Sequence, residues 1–246
     1  MTPGRKATLA ICVPVSLALI GWTAFGAVAA VGTGKYTFST PLNVSGGKLT
    51  ADVDNGDVTL EPGQKATLAG TVTYSLVRPD LTVTKSGVSY RCEIPTGNCG
   101  VNATLTVPSS ADSIVLSSSG GDLAVTAGIT SNLTLNSDGG DITASGLTGT
   151  TDLLSGGGDI GASGVTASDV TARSSGGDIT LTFTKIPRDV QINSGGGDVS
   201  IVVPSGSYVF NATADGGDVS TPTSVPGARD VITISSDGGD ITASES

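Results

Sequence analysis

Leu133-Thr134-Leu135-Asn136-Ser137-Asp138-Gly139-Gly140-Asp141-Ile142-Thr143-Ala144 holds two short alternating runs on either side of a Gly-Gly-Asp tripeptide. Period-2 alternation puts every second side chain on one face of a strand, so the segment reads as strand, corner, strand. The tripeptide recurs, ending at Asp122, Asp141, Asp159, Asp178, Asp198, Asp218 and Asp240. The steps between copies are 19, 18, 19, 20, 20 and 22 residues. A period near 20 residues is the mark of a solenoid.

Columns counted from each Asp give the same answer. The next residue is Leu123, Ile142, Ile160, Ile179, Val199, Val219 or Ile241. Eight residues before the Asp stand Ile114, Leu133, Thr151, Val170, Val190, Phe210 and Ile232, and six before stand Leu116, Leu135, Leu153, Ala172, Ile192, Ala212 and Ile234. One strand–corner–strand unit cannot bury its apolar face alone. Coiling the units stacks these columns into aliphatic ladders, with each strand pairing in parallel with its equivalents above and below. The predicted fold class is all-β: a parallel β-helix, or solenoid, with an N-terminal transmembrane helix. A divergent copy, Asn55-Gly56-Asp57, sits ahead of the others, with Leu49, Ala51, Val58 and Leu60 in its columns. Residues 66–108 interrupt the register with alternating runs of their own and read as an insert that caps the first end. The last rung, at Asp240, is six residues from Ser246 and is expected to be the open end of the coil, a pairing edge for a partner or a second copy.

Arg5 and Lys6 precede an uncharged stretch from Ala7 to Gly34, whose apolar core is long enough for the roughly 20 residues of a membrane span. Basic residues before the span keep the N-terminus inside. A cleaved signal peptide is the alternative, with Ala27-Val28-Ala29 as its small-x-small site. Residues 1–34 are therefore read as cytoplasmic stub and anchor, or signal, and residues 35–246 as an extracytoplasmic domain. Outside the cytoplasm, Cys92 and Cys99, bracketing a short loop, read as a disulfide; two unrelated thiols are the alternative.

The 246 residues carry net charge −10 and no His, which removes the commonest general base and the commonest transition-metal ligand. Residues 111–246 hold 4 basic and 16 acidic residues, and an acidic body excludes nucleic acid as a partner. Two roles are open for the corners at Gly121-Asp122, Gly140-Asp141, Gly158-Asp159, Gly177-Asp178, Gly197-Asp198, Gly217-Asp218 and Gly239-Asp240. In the first they are corner chemistry alone: glycines supply positive φ, the carboxylates bond backbone N–H groups, and Ser118, Ser137, Ser155, Ser174, Ser194 and Ser236 hydrogen-bond along the stack. In the second the aspartates take calcium, with Asp138, Asp215 and Asp237 adding a carboxylate three residues before Asp141, Asp218 and Asp240. No other cofactor is implied. The Gly-Gly-x-Gly-x-Asp nonapeptide of calcium-binding β-rolls is absent.

The Ser-x-Gly-Gly-Asp-aliphatic repeats from Ser118 to Ala243, with the anchor, the Asn55 copy and the Cys92/Cys99 insert, resemble the bacterial "putative adhesin" domains of unknown function, in their membrane-anchored actinobacterial type. The resemblance implies a right-handed coil at the cell envelope and brings no catalytic residues. The expected function is a non-enzymatic cell-envelope solenoid, an adhesin binding an envelope or extracellular ligand or another copy of itself. An accessory sensor of envelope stress and a carbohydrate-active enzyme are the alternatives; for the enzyme, no Asp pair stands out from the repeat.

Overall fold

A computed structural model describes residues 33–44, 46–75, 81–83, 87–90 and 99–246, and all regular structure among them is β-strand. The alternating runs form β1 (Thr33–Pro41), β2 (Lys48–Val53), β3 (Gly56–Pro62), β4 (Thr67–Ser75), β5 (Leu81–Val83), β6 (Gly87–Tyr90) and β7 (Cys99–Val107) at the front of the chain. The repeats then form pairs, one pair per copy. They are β8 (Ser113–Ser118) with β9 (Leu123–Val125), β10 (Asn132–Ser137) with β11 (Ile142–Ser145), and β12 (Thr151–Ser155) with β13 (Ile160–Val165). Next come β14 (Asp169–Ser174) with β15 (Ile179–Phe183) and β16 (Asp189–Ser194) with β17 (Val199–Val203). The last two are β18 (Tyr208–Ala214) with β19 (Val219–Ser220) and β20 (Asp230–Ser236) with β21 (Ile241–Glu245).

Each pair is one rung, and its two strands go to different sheets. One sheet runs β1-β4-β7-β3-β9-β11-β13-β15-β17-β21-β19; the other runs β18-β20-β16-β14-β12-β10-β8-β2-β6-β5. Pairing is parallel along both stacks and antiparallel only where β1 meets β4, β4 meets β7 and β5 meets β6. The register follows the sequence columns. Leu49, Ile114, Leu133, Thr151, Val170, Val190, Ile232 and Phe210 are successive partners. So are Val58, Leu123, Ile142, Ile160, Ile179, Val199, Ile241 and Val219 in the other sheet. Apart from the outermost rung, where Phe210 is half-buried and Val219 exposed, these columns face each other between the sheets as one continuous core. Each fully buried Leu, Ile or Val contributes roughly 1.5–3 kcal/mol relative to exposure.

The order of the stack corrects one expectation. The Asp240 rung is not the open end: β20 lies between β16 and β18, and β21 between β17 and β19. The Asp218 rung, earlier in the chain, is outermost. Its composition explains the exchange. Ala214 stands where other repeats have Ser, Thr221 stands three after its Asp where the others have Val125, Ala144, Ala162, Leu181, Ile201 and Ala243, and Pro222 removes a ladder donor, leaving β19 only two residues long. The rung of Ile232, Ile234, Ser236 and Ile241 fills the interior place and buries all four. The chain between them returns along the outer edge of β18, where Val225 N–H donates to Tyr208 C=O (2.8 Å) and Phe210 N–H donates to the Ser224 hydroxyl (3.1 Å).

A similar exchange occurs at the front. β6 and β7 lie outside β2 and β3, although they follow them in sequence, and β4 and β1 close that side of one sheet. Cys99 opens β7 opposite Tyr74; Cys92, its expected disulfide partner, lies outside the described residues. The expected membrane anchor also lies outside them except for Thr33 and Gly34, which begin β1. Among the described residues no helix is long and apolar enough to cross a membrane.

Candidate functional site

The Gly-Gly-Asp corners stack into a hydrogen-bonded ladder. The backbone N–H of each Asp donates to Oδ1 of the Asp one rung below: Asp122 to Asp57 (3.1 Å), Asp141 to Asp122 (2.9 Å), and Asp159 to Asp141 (2.8 Å). Asp178 then bonds Asp159, Asp198 bonds Asp178, Asp240 bonds Asp198 and Asp218 bonds Asp240, each at 2.8 Å. The side chains are solvent-exposed, so one carboxylate oxygen stitches rungs together while the group stays hydrated. A charged acceptor shortens and strengthens such bonds.

Behind the aspartates runs a buried serine ladder. The Ser137 hydroxyl donates to Gly121 C=O (3.0 Å) and accepts from Gly140 N–H of its own corner (2.8 Å). Ser118, Ser155, Ser174, Ser194 and Ser236 repeat both bonds. Each hydroxyl ties its own corner and joins it to the rung below, which satisfies the polar groups of a corner buried against the core.

The glycines work differently from the expectation. None of the motif glycines has positive φ; the left-handed residues are Asn55 in the divergent copy and glycines elsewhere, such as Gly128, Gly146 and Gly164. The second glycine is required by close approach. A Cβ on Gly158 would stand 2.5 Å from Asp141 Oδ1 and from the Gly140 carbonyl carbon, and one on Gly140 would stand 2.4 Å from Gly121 O. In the middle rungs the first glycine has room: at Gly157 the nearest atom would be 3.8 Å away, whereas a Cβ on Gly120 would stand 2.7 Å from Asn55 Oδ1.

Asp138 and Asp141 share one corner near the front. Asp215, Asp218, Asp237 and Asp240 occupy two adjacent corners at the outer end, since Asp237 N–H donates to Ser194 C=O and Asp215 N–H to Ser236 C=O. Between the two groups this column carries Gly156, Ser175 and Gly195. Among the described residues no group of three His, Cys, Asp or Glu side chains could hold a metal ion.

Two features lie outside the residues a search for apolar columns selects. Two residues after each Asp, on the outer face, Thr59, Ala124, Thr143, Gly161, Thr180, Ser200, Thr242 and Ser220 form one continuous column across eight strands. Beside it Ser145 pairs with Ser163, and Val202 with Ser244. The alternation of Asp-x-Thr or Asp-x-Ser carried this signal. Tyr208 is the second feature. It is buried, packs on Phe210 with ring centroids 5.6 Å apart, and donates its hydroxyl to Pro204 C=O at 2.7 Å. Burial, and then the negative charges of Asp230 and Glu245, push its phenol above the ordinary tyrosine value.

Among solved structures the chain is similar to a "putative cell adhesion protein" from Clostridium sporogenes, at 13% identity over 87% of this chain and 100% of that one, with a TM-score of 0.33. It is similar to a "putative adhesin" from Bacteroides fragilis, at 12% identity over 86% and 97% of the two chains, with a TM-score of 0.43. A third, a "putative adhesin" from Parabacteroides merdae, has 10% identity over 85% and 96%, with a TM-score of 0.40. No curated protein matches the sequence. The model of one family, Toastrack DUF4097, matches residues 5–244, and the chain belongs to that family.

Proposed function

We propose that this protein is a non-enzymatic β-solenoid of the cell envelope, an adhesin that binds a repeating, hydroxyl-rich surface polymer along one flat strand face. The single observation behind this reading is the column from Thr59 to Ser220, which presents short polar or small groups one strand apart, at about 4.8 Å intervals. Stiff side chains on paired strands lose little entropy when a partner docks. The N-terminal segment tethers the domain to the membrane, the coil is right-handed, and Cys92 pairs with Cys99; these belong to the same reading.

The test is retention of the full-length chain on purified bacterial cell-wall glycan. The triple variant Thr143→Lys/Thr180→Lys/Thr242→Lys crowds the face without touching the core, and it is expected to abolish retention while leaving thermal unfolding unchanged. Equal retention of the variant would remove the face from the proposal. Replacing residues 1–32 with a cleaved secretion signal, which leaves β1 whole, adds a second arm: adhesion should survive release, whereas stress sensing should not.

A further inference from the structure

The ladder has a direction. At each inner rung up to the one ending at Asp198 three acceptors face outward and are filled by the next rung; on the Asp240 rung Asp218 N–H and Asp215 N–H fill two, and Ala214 has no hydroxyl for Gly239 C=O. For the rung ending at Asp198, Asp198 Oδ1 accepts Asp240 N–H (2.8 Å), Gly197 C=O accepts the Ser236 hydroxyl (3.1 Å), and Ser194 C=O accepts Asp237 N–H (3.0 Å). Shifted to the outermost rung, the same three positions are Asp218 Oδ1, Gly217 C=O and Ala214 C=O. Among the described residues no strand lies beyond them. The donors left open on this edge are Val219 N–H, the counterpart of Ile241 N–H, which donates to Asp218 C=O, and the amides of Ala212 and Ala214 on β18. The corner of the open rung is therefore rich in acceptors.

Its charge has the same sense. Asp215 and Asp218 lie on the open rung and Asp237 and Asp240 on the rung behind it, while Arg188 and Arg229 precede β16 and β20, at the opposite ends of those strands. The core columns also end here: Val219 is 46% exposed, and Phe210, Ala212 and Ala214 are half-buried. The returning segment covers only the first part of the β18 edge, at Tyr208 and Phe210. Ala212, Ala214, the corner and Val219 stay open. A second copy docked end to end would set acceptors against acceptors and four carboxylates against four.

We propose that this open rung is a strand-accepting edge for an extended, lysine- or arginine-bearing peptide segment of a partner protein. Backbone N–H groups and cationic side chains fill the acceptors, and alternate aliphatic side chains cover Val219 and Ala212. The proposal goes beyond binding through the flat face and does not depend on it.

The experiment measures binding of a fluorescein-labelled Lys-Val-Lys-Val-Lys-Val peptide to the full-length chain by fluorescence anisotropy, with amide hydrogen exchange read at Ala212, Ala214 and Val219. A control peptide carries the same charges but N-methyl groups at alternate residues, so it cannot pair as a strand. The plain peptide is expected to bind at least about tenfold more tightly than the control and to slow exchange at those three amides. The variant Asp215→Asn/Asp218→Asn should weaken binding about tenfold, whereas Asp152→Asn, at an exposed position of β12, should not. No described hydrogen bond uses the Asp215 or Asp218 side chain, so the variant is expected to stay folded, and its thermal unfolding checks this. Equal affinity of the two peptides, or of the wild type and the Asp215/Asp218 variant, would overturn the proposal. So would a concentration-dependent dimer that buries the same three amides without peptide.

Discussion

The two glycines of the Asp159 corner are alike in sequence and unlike in what surrounds them, and substitution should separate them. Gly158→Ala forces a methyl against the rung below and is expected to cost about 1–3 kcal/mol in thermal unfolding, the usual size of an overpacking penalty. Gly157→Ala, with 3.8 Å to its nearest atom, should change stability by less than about 1 kcal/mol. Ser155→Ala leaves Gly158 N–H and Gly140 C=O without a partner in a buried corner, and should cost about 1–3 kcal/mol. Sequence spacing was enough to find these corners, but not to choose between a glycine needed for its φ and one needed for its missing Cβ. That choice depends on the neighbouring rung, which no local run of residues contains. Tyr208 carries a pH dependence. Its phenol is raised in the fold, so the neutral form is favoured there; the contribution is complete below the unfolded value near 10 and is lost as pH rises through the folded value. Stability should therefore decline above about pH 10. Tyr208→Phe should lessen that decline, at a cost at neutral pH of about 1 kcal/mol for the lost bond to Pro204.

At the scale of strands, every apolar column read from the sequence is a column in the sheets, because parallel stacking preserves the spacing from each Asp. The positions of the rungs were less legible. β18–β19 and β20–β21 present the same pattern to their neighbours, and either could sit on β16–β17. The clues were departures from the repeat: Ala214 for serine, Thr221 in an aliphatic column, and Pro222. Hydrogen exchange tests the observed order directly. Amides of Val231 to Ser236 should be better protected than those of Val209 to Ala214, because β20 is paired on both edges and β18 on one. A coil stacked in chain order would give the reverse. Ala214→Ser offers a gain-of-stability check: its hydroxyl can reach the Gly239 carbonyl and Gly217 N–H by the geometry of the other rungs, adding about 0.5–1.5 kcal/mol.

For the whole molecule, the aspartate ladder concentrates like charge along one edge, with rungs about 4.8 Å apart. Even at the dielectric constant of water, each neighbouring pair repels by about 1 kcal/mol before screening. Moderate sodium chloride should therefore raise the midpoint of thermal unfolding, and Asp159→Asn, which keeps the Oδ1 acceptor, should be neutral or stabilising at low salt. Calcium is expected to do no more than equal ionic strength; a midpoint several degrees higher in calcium than in chelator would instead make the corners an ion site. The interleaved outer rungs also bear on mechanics. In a coil wound in chain order, tension on the last strand peels the outermost rung, breaking a few bonds at a time. Here that strand is wedged between two others, and Ser246 is pinned to Val203 and Ser205. A pull from that side must slide β21 out between two neighbours, loading both rows of bonds together, so the fold should yield abruptly at high force instead of unravelling at low force.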